Sequence, residues 1–371
     1  MRRESIAPRP DWPAKVEALG LDFHTGEDGE PYWWEAACYA FSAAEVDELE
    51  AAAEALHGMC LDAVDRLVEA GDFSRLDIPE PYWDWIARSW RRRDPDVYGR
   101  FDLAYDGARP PRLLEYNADT PTALIEAAVV QWYWLEERMP EADQFNSIHE
   151  KLIARWRELR ALAPRSAALH LAGVFAEPED RRTVEYMQDV AQQAGWRGVP
   201  LDIAEIGWNG RAFTDLSELP IRFLFKLYPW EWLLREEFGP HLLSDLVGIV
   251  EPPWKMLLAN KAILPILWEM FPGHPNLLPA AWSRDGIAGA CAEKPFYGRE
   301  GDGVRLLAAG EPGSGAAGRV YQAQAALPRF DGRHAVIGAW IVGGKAAGIG
   351  IREDSAPVTT NKSRFVPHYF R

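Results

Sequence analysis

The chain has 371 residues, 48% of them hydrophobic, which is ample for a large core in roughly two or three structural units. Its formal net charge of −16 removes the electrostatic attraction that nucleic-acid binding depends on; acidity serves solubility first, and would suit a cationic partner such as a polyamine. The three cysteines, Cys38, Cys60 and Cys291, are widely spaced, which excludes a disulfide framework or cysteine metal site and points to a reducing cytoplasm. No apolar run is long enough to cross a membrane, and Arg2-Arg3 leads into Glu-Ser-Ile-Ala-Pro rather than a signal-peptide core.

Residues 1 to 40 are rich in proline and aromatics and read as an irregular wrap on the body. Ser42-Ala43-Ala44-Glu45 is a capping-box pattern, and the Ala/Glu/Leu run to about Val68 is a long helix. Pro79 and Pro81 open a second, aromatic helix through Trp90. The tryptophans of these segments, and Trp132 and Trp134 further on, read as core.

A hairpin follows. Arg100 to Tyr105 alternates polar or small with large apolar residues, the period of a strand. Asp106-Gly107 and Pro110-Pro111 supply the turn, and Arg112 to Asn117 returns. If the strands pair, Arg100, Asp102, Glu115 and Asn117 share one face. Two carboxylates and an amide oxygen are hard ligands suited to Mg²⁺, and Arg100 beside them would meet a phosphoryl oxygen. A solvated polar hairpin is the plainer alternative.

Pro121 is expected to start a helix through Ile125, Val129, Trp132 and Leu135, and Asn146 to Leu162 forms another. At about Ser166 the pattern becomes α/β: strands at Ala167 to Val174, Val199 to Ile203 and Ile221 to Lys226, with a helix from Pro178 to Ala194. Strand, helix, strand predicts a small parallel-sheet unit, and no GxGxxG accompanies it. Asn260-Lys261 opens a helix through Trp268. Glu293-Lys294-Pro295 is a strand leading into the glycine-rich loop Gly298 to Gly303, then Val304 to Leu307. Backbone N–H groups of such a loop can cradle phosphate within reach of Lys294, and a plain flexible hairpin is the alternative. Val320 to Gln322 is a strand, and His334 to Arg352 folds as a last hairpin about Gly343-Gly344.

In order along the chain stand Arg100-Phe101-Asp102, Glu115-Tyr116-Asn117-Ala118-Asp119, Lys226 with Trp230-Glu231, Asn260-Lys261-Ala262-Ile263-Leu264-Pro265, Lys294-Pro295, Gly298-Arg299-Glu300-Gly301, Tyr321-Gln322 and Ile351-Arg352. This set resembles the synthetase domain of the glutathionylspermidine synthetase family, and more closely its stand-alone acid–amine ligase type, over essentially the whole chain. The resemblance implies an α+β, α/β architecture: an ATP-grasp-like fold in rearranged order, with a pre-ATP-grasp-like parallel subdomain. The expected divisions are a helical region at 1–98, the metal-binding hairpin and helices at 99–165, the α/β subdomain at 166–250 and the nucleotide-binding subdomain at 251–371. It implies that Asp102, Glu115 and Asn117 hold Mg²⁺ and that Arg100 contacts the transferring phosphoryl. Lys261, Lys294 and Arg352 would bind ATP, Glu300 and Gly301 would cover its phosphates, and Gln322 to Ala325, Gln324 included, would line the adenine. Thr120, Thr122, Glu179 and Asp180 match positions used for the peptide and amine substrates.

The implied reaction is an ADP-forming ligation in the cytoplasm: a small, peptide-like acid is activated as an acyl phosphate, and an amine then displaces phosphate. The bifunctional members' amidase activity is not expected here. Leu227 replaces a threonine of the family pattern, and a family lysine falls on Asn361, beside Lys362. The rival readings are an ATPase or phosphotransferase on the same fold, which would need at most one acceptor, and a non-catalytic nucleotide-binding protein, against which the intact set Asp102, Glu115, Asn117, Lys261 and Lys294 argues.

Overall fold

The computed structural model describes residues 1–371. Its centre is a six-stranded antiparallel sheet in which Tyr98–Ala104, Arg333–Val342 and Lys345–Asp354 lie side by side. Arg112–Asn117 extends the sheet at one edge and Arg364–Val366 at the other, and Arg329–Phe330 pairs the start of Arg333–Val342. These strands carry apolar residues on both faces, and both faces are covered. Phe101, Leu103, Ile337 and Ile351 pack in a core shared with the helix Ala43–Ala70. Tyr98, Trp340 and Val342 pack in a second core with residues of the parallel sheet, such as Leu171 and Phe225.

Local signals set the long helix. Ser42 and Glu45 form the reciprocal capping box, and Gly71 closes the helix at φ 69° with its N–H on the Leu67 carbonyl. The aromatic helix starts with a single tight turn at Glu80–Tyr82 and runs Trp83–Arg91.

The predicted α/β unit is a four-stranded parallel sheet in the order Gly248–Val250, Phe223–Leu227, Ala168–Gly173, Arg197–Asp202. The helix Pro178–Gln193 makes the crossover. A second antiparallel sheet, Ala280–Ala281, Arg319–Ala323, Cys291–Pro295 and Arg305–Leu307, packs beside the helix Ile263–Met270.

Two expectations are corrected. The N-terminal region is not irregular: Arg2–Ser5 pairs with Ala37–Phe41, which pairs in turn with the C-terminal His368–Phe370, and Trp12–Ala18 is a short helix. The partner strand at the far end of the chain makes these strands, and no local window contains it. The helix after Pro121 begins only at Leu124, because Ala123 takes a left-handed φ of 64°. It then passes through a π turn at Glu126–Val130 before the α-helix Gln131–Arg138. A π turn carries an extra residue, which rotates the following face. Trp132 is consequently exposed, and Trp134 takes the core position.

The three cysteines are free and buried, and no helix is long and apolar enough to cross a membrane.

Candidate active site

The hairpin register pairs Arg100 with Asn117 and Asp102 with Glu115. With side chains alternating between faces, the four polar residues share one surface, as expected. That surface is not a solvated one: Arg100 is 5% exposed and Asp102 3%. Arg100 Nε donates to Asp102 Oδ1 at 2.7 Å and Nη2 to Oδ2 at 3.2 Å. Arg352, on the strand beyond Arg333–Val342, reaches the same carboxylate at 3.0 Å. Between them Gly338 faces Asp102. A Cβ there would lie 2.8 Å from Arg100 Cδ, and the missing side chain is the trough in which Arg100 lies.

The second antiparallel sheet brings Lys294 to this face, and the turn before the helix Ile263–Met270 brings Lys261. Lys294 Nζ donates to the Leu114 carbonyl and to Gln322 Oε1, each at 2.8 Å. Lys261 Nζ donates to the Gly298 carbonyl at 2.6 Å and pairs with Glu115 at 3.3 Å. A cleft between the two sheets is lined by Asp102, Glu115, Lys294, Gly301, Gln322 and Gln324, with Ala325 beside them. Its other wall, Pro357 to Thr359, carried no signal in the sequence. Gly301, at φ 73°, packs so closely there that a Cβ would sit 2.6 Å from the Thr359 carbonyl oxygen. Glu300, at φ 53°, lies in the same loop and acts on Glu179.

The electrostatics fit a polyphosphate. Burial acts to raise the Glu115 carboxyl, but Lys261, Lys294, Arg100 and Arg352 outweigh it and hold it at about 2. Lys294 goes the other way: burial, only partly offset by Glu115, depresses its ammonium to about 8, with Lys261 adding to the effect.

No three His, Cys, Asp or Glu side chains converge as a metal cage. The predicted set is instead two carboxylates and one amide. Asn117 uses its amide hydrogens toward Glu115 at 3.4 Å, which leaves Oδ1 free. Glu115 is held ionised. All three are hard oxygen donors of the type Mg²⁺ takes, with phosphate and water completing its shell, and Asp102 would share its oxygens between the ion and the Arg100 and Arg352 N–H groups that meet both of them.

The predicted substrate residues border this centre from the parallel-sheet side. Arg100 Nη1 donates to the Thr122 carbonyl, and the next N–H, of Ala123, donates to Glu179 at 3.1 Å. One peptide unit is thus clamped between Arg100 and the helix Pro178–Gln193. Arg299 of the glycine-rich loop donates to Thr120 Oγ1, and its guanidinium lies 5.0 Å from the Trp232 ring centre. Burial lifts Asp180 to about 6 against the pull of Arg299.

Sequence reasoning missed Glu126. It is 1% exposed, accepts from the Tyr32 hydroxyl at 2.7 Å, and is pushed to about 7 by burial and by Glu179. A lone acid inside the apolar run Leu124 to Val130 was the available signal. Lys362 lies away from the centre, on Asp28 at the surface. Leu227 is buried, and its neighbour Lys226 is buried too, bonding Asp119 and the Tyr228 carbonyl.

Residues 3–371 match the family model described as glutathionylspermidine synthase preATP-grasp. A Haemophilus influenzae protein named "Putative acid--amine ligase" is 42% identical, with both chains covered completely. The bifunctional glutathionylspermidine synthetase/amidase of Escherichia coli is 28% identical over 91% of this chain, and the trypanothione synthetase of Crithidia fasciculata 27% over 84%. The chain spans only 59% and 53% of those two proteins. Among solved structures, a glutathione synthetase-like effector of Globodera pallida superposes with a TM-score of 0.56 at 10% identity, covering 99% of this chain and 100% of its own; the likeness is one of fold.

Proposed function

Since the chain belongs to the glutathionylspermidine synthase preATP-grasp family, we propose that it joins a peptide-like acid to an amine, with ATP and Mg²⁺, through an acyl phosphate. As a member of that family it is an acid–amine ligase. The nucleotide, the metal and the residue roles are the proposed part. The observation that carries them is the cleft where the charged hairpin face meets Lys261 and Lys294. The sheet that bears Lys294 and the glycine-rich loop is read as the nucleotide-binding half of a rearranged ATP-grasp.

In this reading Lys261, Lys294 and Arg352 take the phosphates, and Gln322 to Ala325 line the base. Asp102, Glu115 and Asn117 would hold Mg²⁺, which when bound neutralises phosphate charge. The acid's carboxylate oxygen attacks the γ-phosphorus and ADP leaves. Arg100 stabilises the charge that develops on the phosphoryl group, since phosphoryl transfer depends chiefly on positioning and electrostatics. Thr120 and Thr122 hold the acid. The amine, having given its proton to a carboxylate such as Asp180, attacks the acyl carbon, and phosphate departs with the activating oxygen. Glu179 orients the amine. The substrates are small molecules, and an amine as cationic as a polyamine suits the acidic residues on that side.

The test is ADP release with Mg-ATP against small peptides, glutathione included, crossed with polyamines and amino acids. Turnover that needs both an acid and an amine, with the amide found by mass, is the expected result. ADP formed equally without any acceptor leaves only a nucleotide site, and one acceptor sufficing makes the chain a phosphotransferase.

A further inference from the structure

The parallel sheet has two ends. Its carboxyl ends face the proposed reaction centre, where Lys226, Asp180 and Asp119 lie. Its amino ends close on a separate cavity of about 620 Å³. Strands of 5 and 6 residues separate the two, roughly 15–20 Å at the rise of a strand. The cavity wall is apolar: Trp156 and Leu159 of the helix Ile148–Leu162, Trp196, Leu169, Phe223 and Ile249. Volumes of a few hundred Å³ with such a lining are typical of small-molecule sites.

One polar group at this cavity has no partner in the chain, and it is a donor. Arg222 sits exposed at the rim and forms no ion pair. The other rim arginine, Arg92, is by contrast neutralised by Asp94 at 2.7 Å and by Asp245. A guanidinium donates hydrogen bonds and cannot accept one. The complementary molecule therefore has an apolar body and an anionic oxygen.

We propose that this cavity is a second ligand site, remote from the reaction centre, for a small amphipathic carboxylate: an aromatic or medium-chain aliphatic acid whose head group meets Arg222. The inference does not depend on the ligase reading, and its failure would leave that reading untouched.

The probe is 8-anilinonaphthalene-1-sulfonate, an aromatic anion whose emission rises in apolar surroundings. The full chain should bind it at one saturable site, with decanoate or 1-naphthoate displacing it. Arg222→Ala should weaken the anionic dye about tenfold, the size of one charged hydrogen bond. The neutral dye N-phenyl-1-naphthylamine should bind that variant as it binds the wild type. Val247→Trp, at the half-buried lip, should fill the cavity and abolish both. Absence of saturable binding overturns the site. Unchanged dye affinity in Arg222→Ala, an exposed change that leaves folding intact, overturns the anionic class of ligand.

Discussion

Two buried charge networks touch the strand Tyr98–Ala104, and they are built to opposite ends. At its start, Glu251 accepts from the backbone N–H groups of Val97 and Tyr98, each at 3.1 Å. Lys255 donates to the Tyr98 carbonyl at 2.6 Å and pairs with Glu251 and with Asp96. Burial works against the Lys255 ammonium, but the two carboxylates outweigh it and its affinity for the proton rises. Two residues further along, the second network faces the cleft. Lys294 is buried too, yet its bonded partners are neutral oxygens and another lysine lies near, and its proton affinity falls. Burial alone therefore does not mark a site. The first network supplies its own counter-charge and closes on itself, while the second is short of negative charge where a phosphate would provide it.

The largest expected effect separates the networks by function. Asp102→Asn should reduce ADP-forming turnover about a thousandfold, as loss of a transition-state charge contact does, with the circular-dichroism spectrum unchanged. Near wild-type turnover in that variant would remove Asp102 from the centre. Lys255→Met should do the reverse. By stranding Glu251, while Asp96 keeps Arg155, it should cost about 3–5 kcal/mol of unfolding free energy in urea, the range for a broken buried pair. Gly338→Ala should push Arg100 from its trough and lower kcat by about 10- to 100-fold, since displacements near 1 Å are that costly. An unchanged kcat would mean that Arg100 does not act where it lies.

The smallest effect is the sharpest. Lys294 has a folded value of about 8, below its unfolded value near 10.4. The unfolded chain then holds its proton more tightly, and the penalty for burying the charge is full below pH 8 and relieved as pH rises toward 10.4. Across the same rise the free enzyme loses the cation proposed to meet ATP, and the KM for ATP should increase above pH 8. Lys294→Met should raise the apo melting temperature by a few degrees and abolish ATP-dependent stabilisation. A lower melting temperature in that variant would make Lys294 a structural cation like Lys255.

The local features were legible because local physics sets them. The capping box at Ser42 and Glu45 and the alternation on Arg100 to Tyr105 depend on residues a few positions apart, whereas a bulge in the hairpin interrupts the return strand and puts Leu113 in the core and Leu114 in the cleft. Three strands of the parallel unit were legible too, while the fourth, Gly248–Val250, is too short to stand out as an apolar run. The phase of the helix after Thr122 was misread, because a π turn leaves no period in the residues and Ala123 is an unusual bearer of a left-handed φ. Glu126 was overlooked within that same stretch.

Residue type and spacing settle that Arg100, Asp102, Glu115 and Asn117 share a face, because the strand period is two and a short hairpin has few registers. They do not settle that the face is buried, nor what meets it. Arg352 reaches Asp102 across 250 positions, Lys294 reaches Leu114 across 180, and Gly338 makes room for Arg100 from a strand between them. No window of sequence contains such neighbours. They exist because two apolar cores cover both faces of one sheet and draw distant strands into register, leaving a buried cleft in which the few uncompensated charges lie.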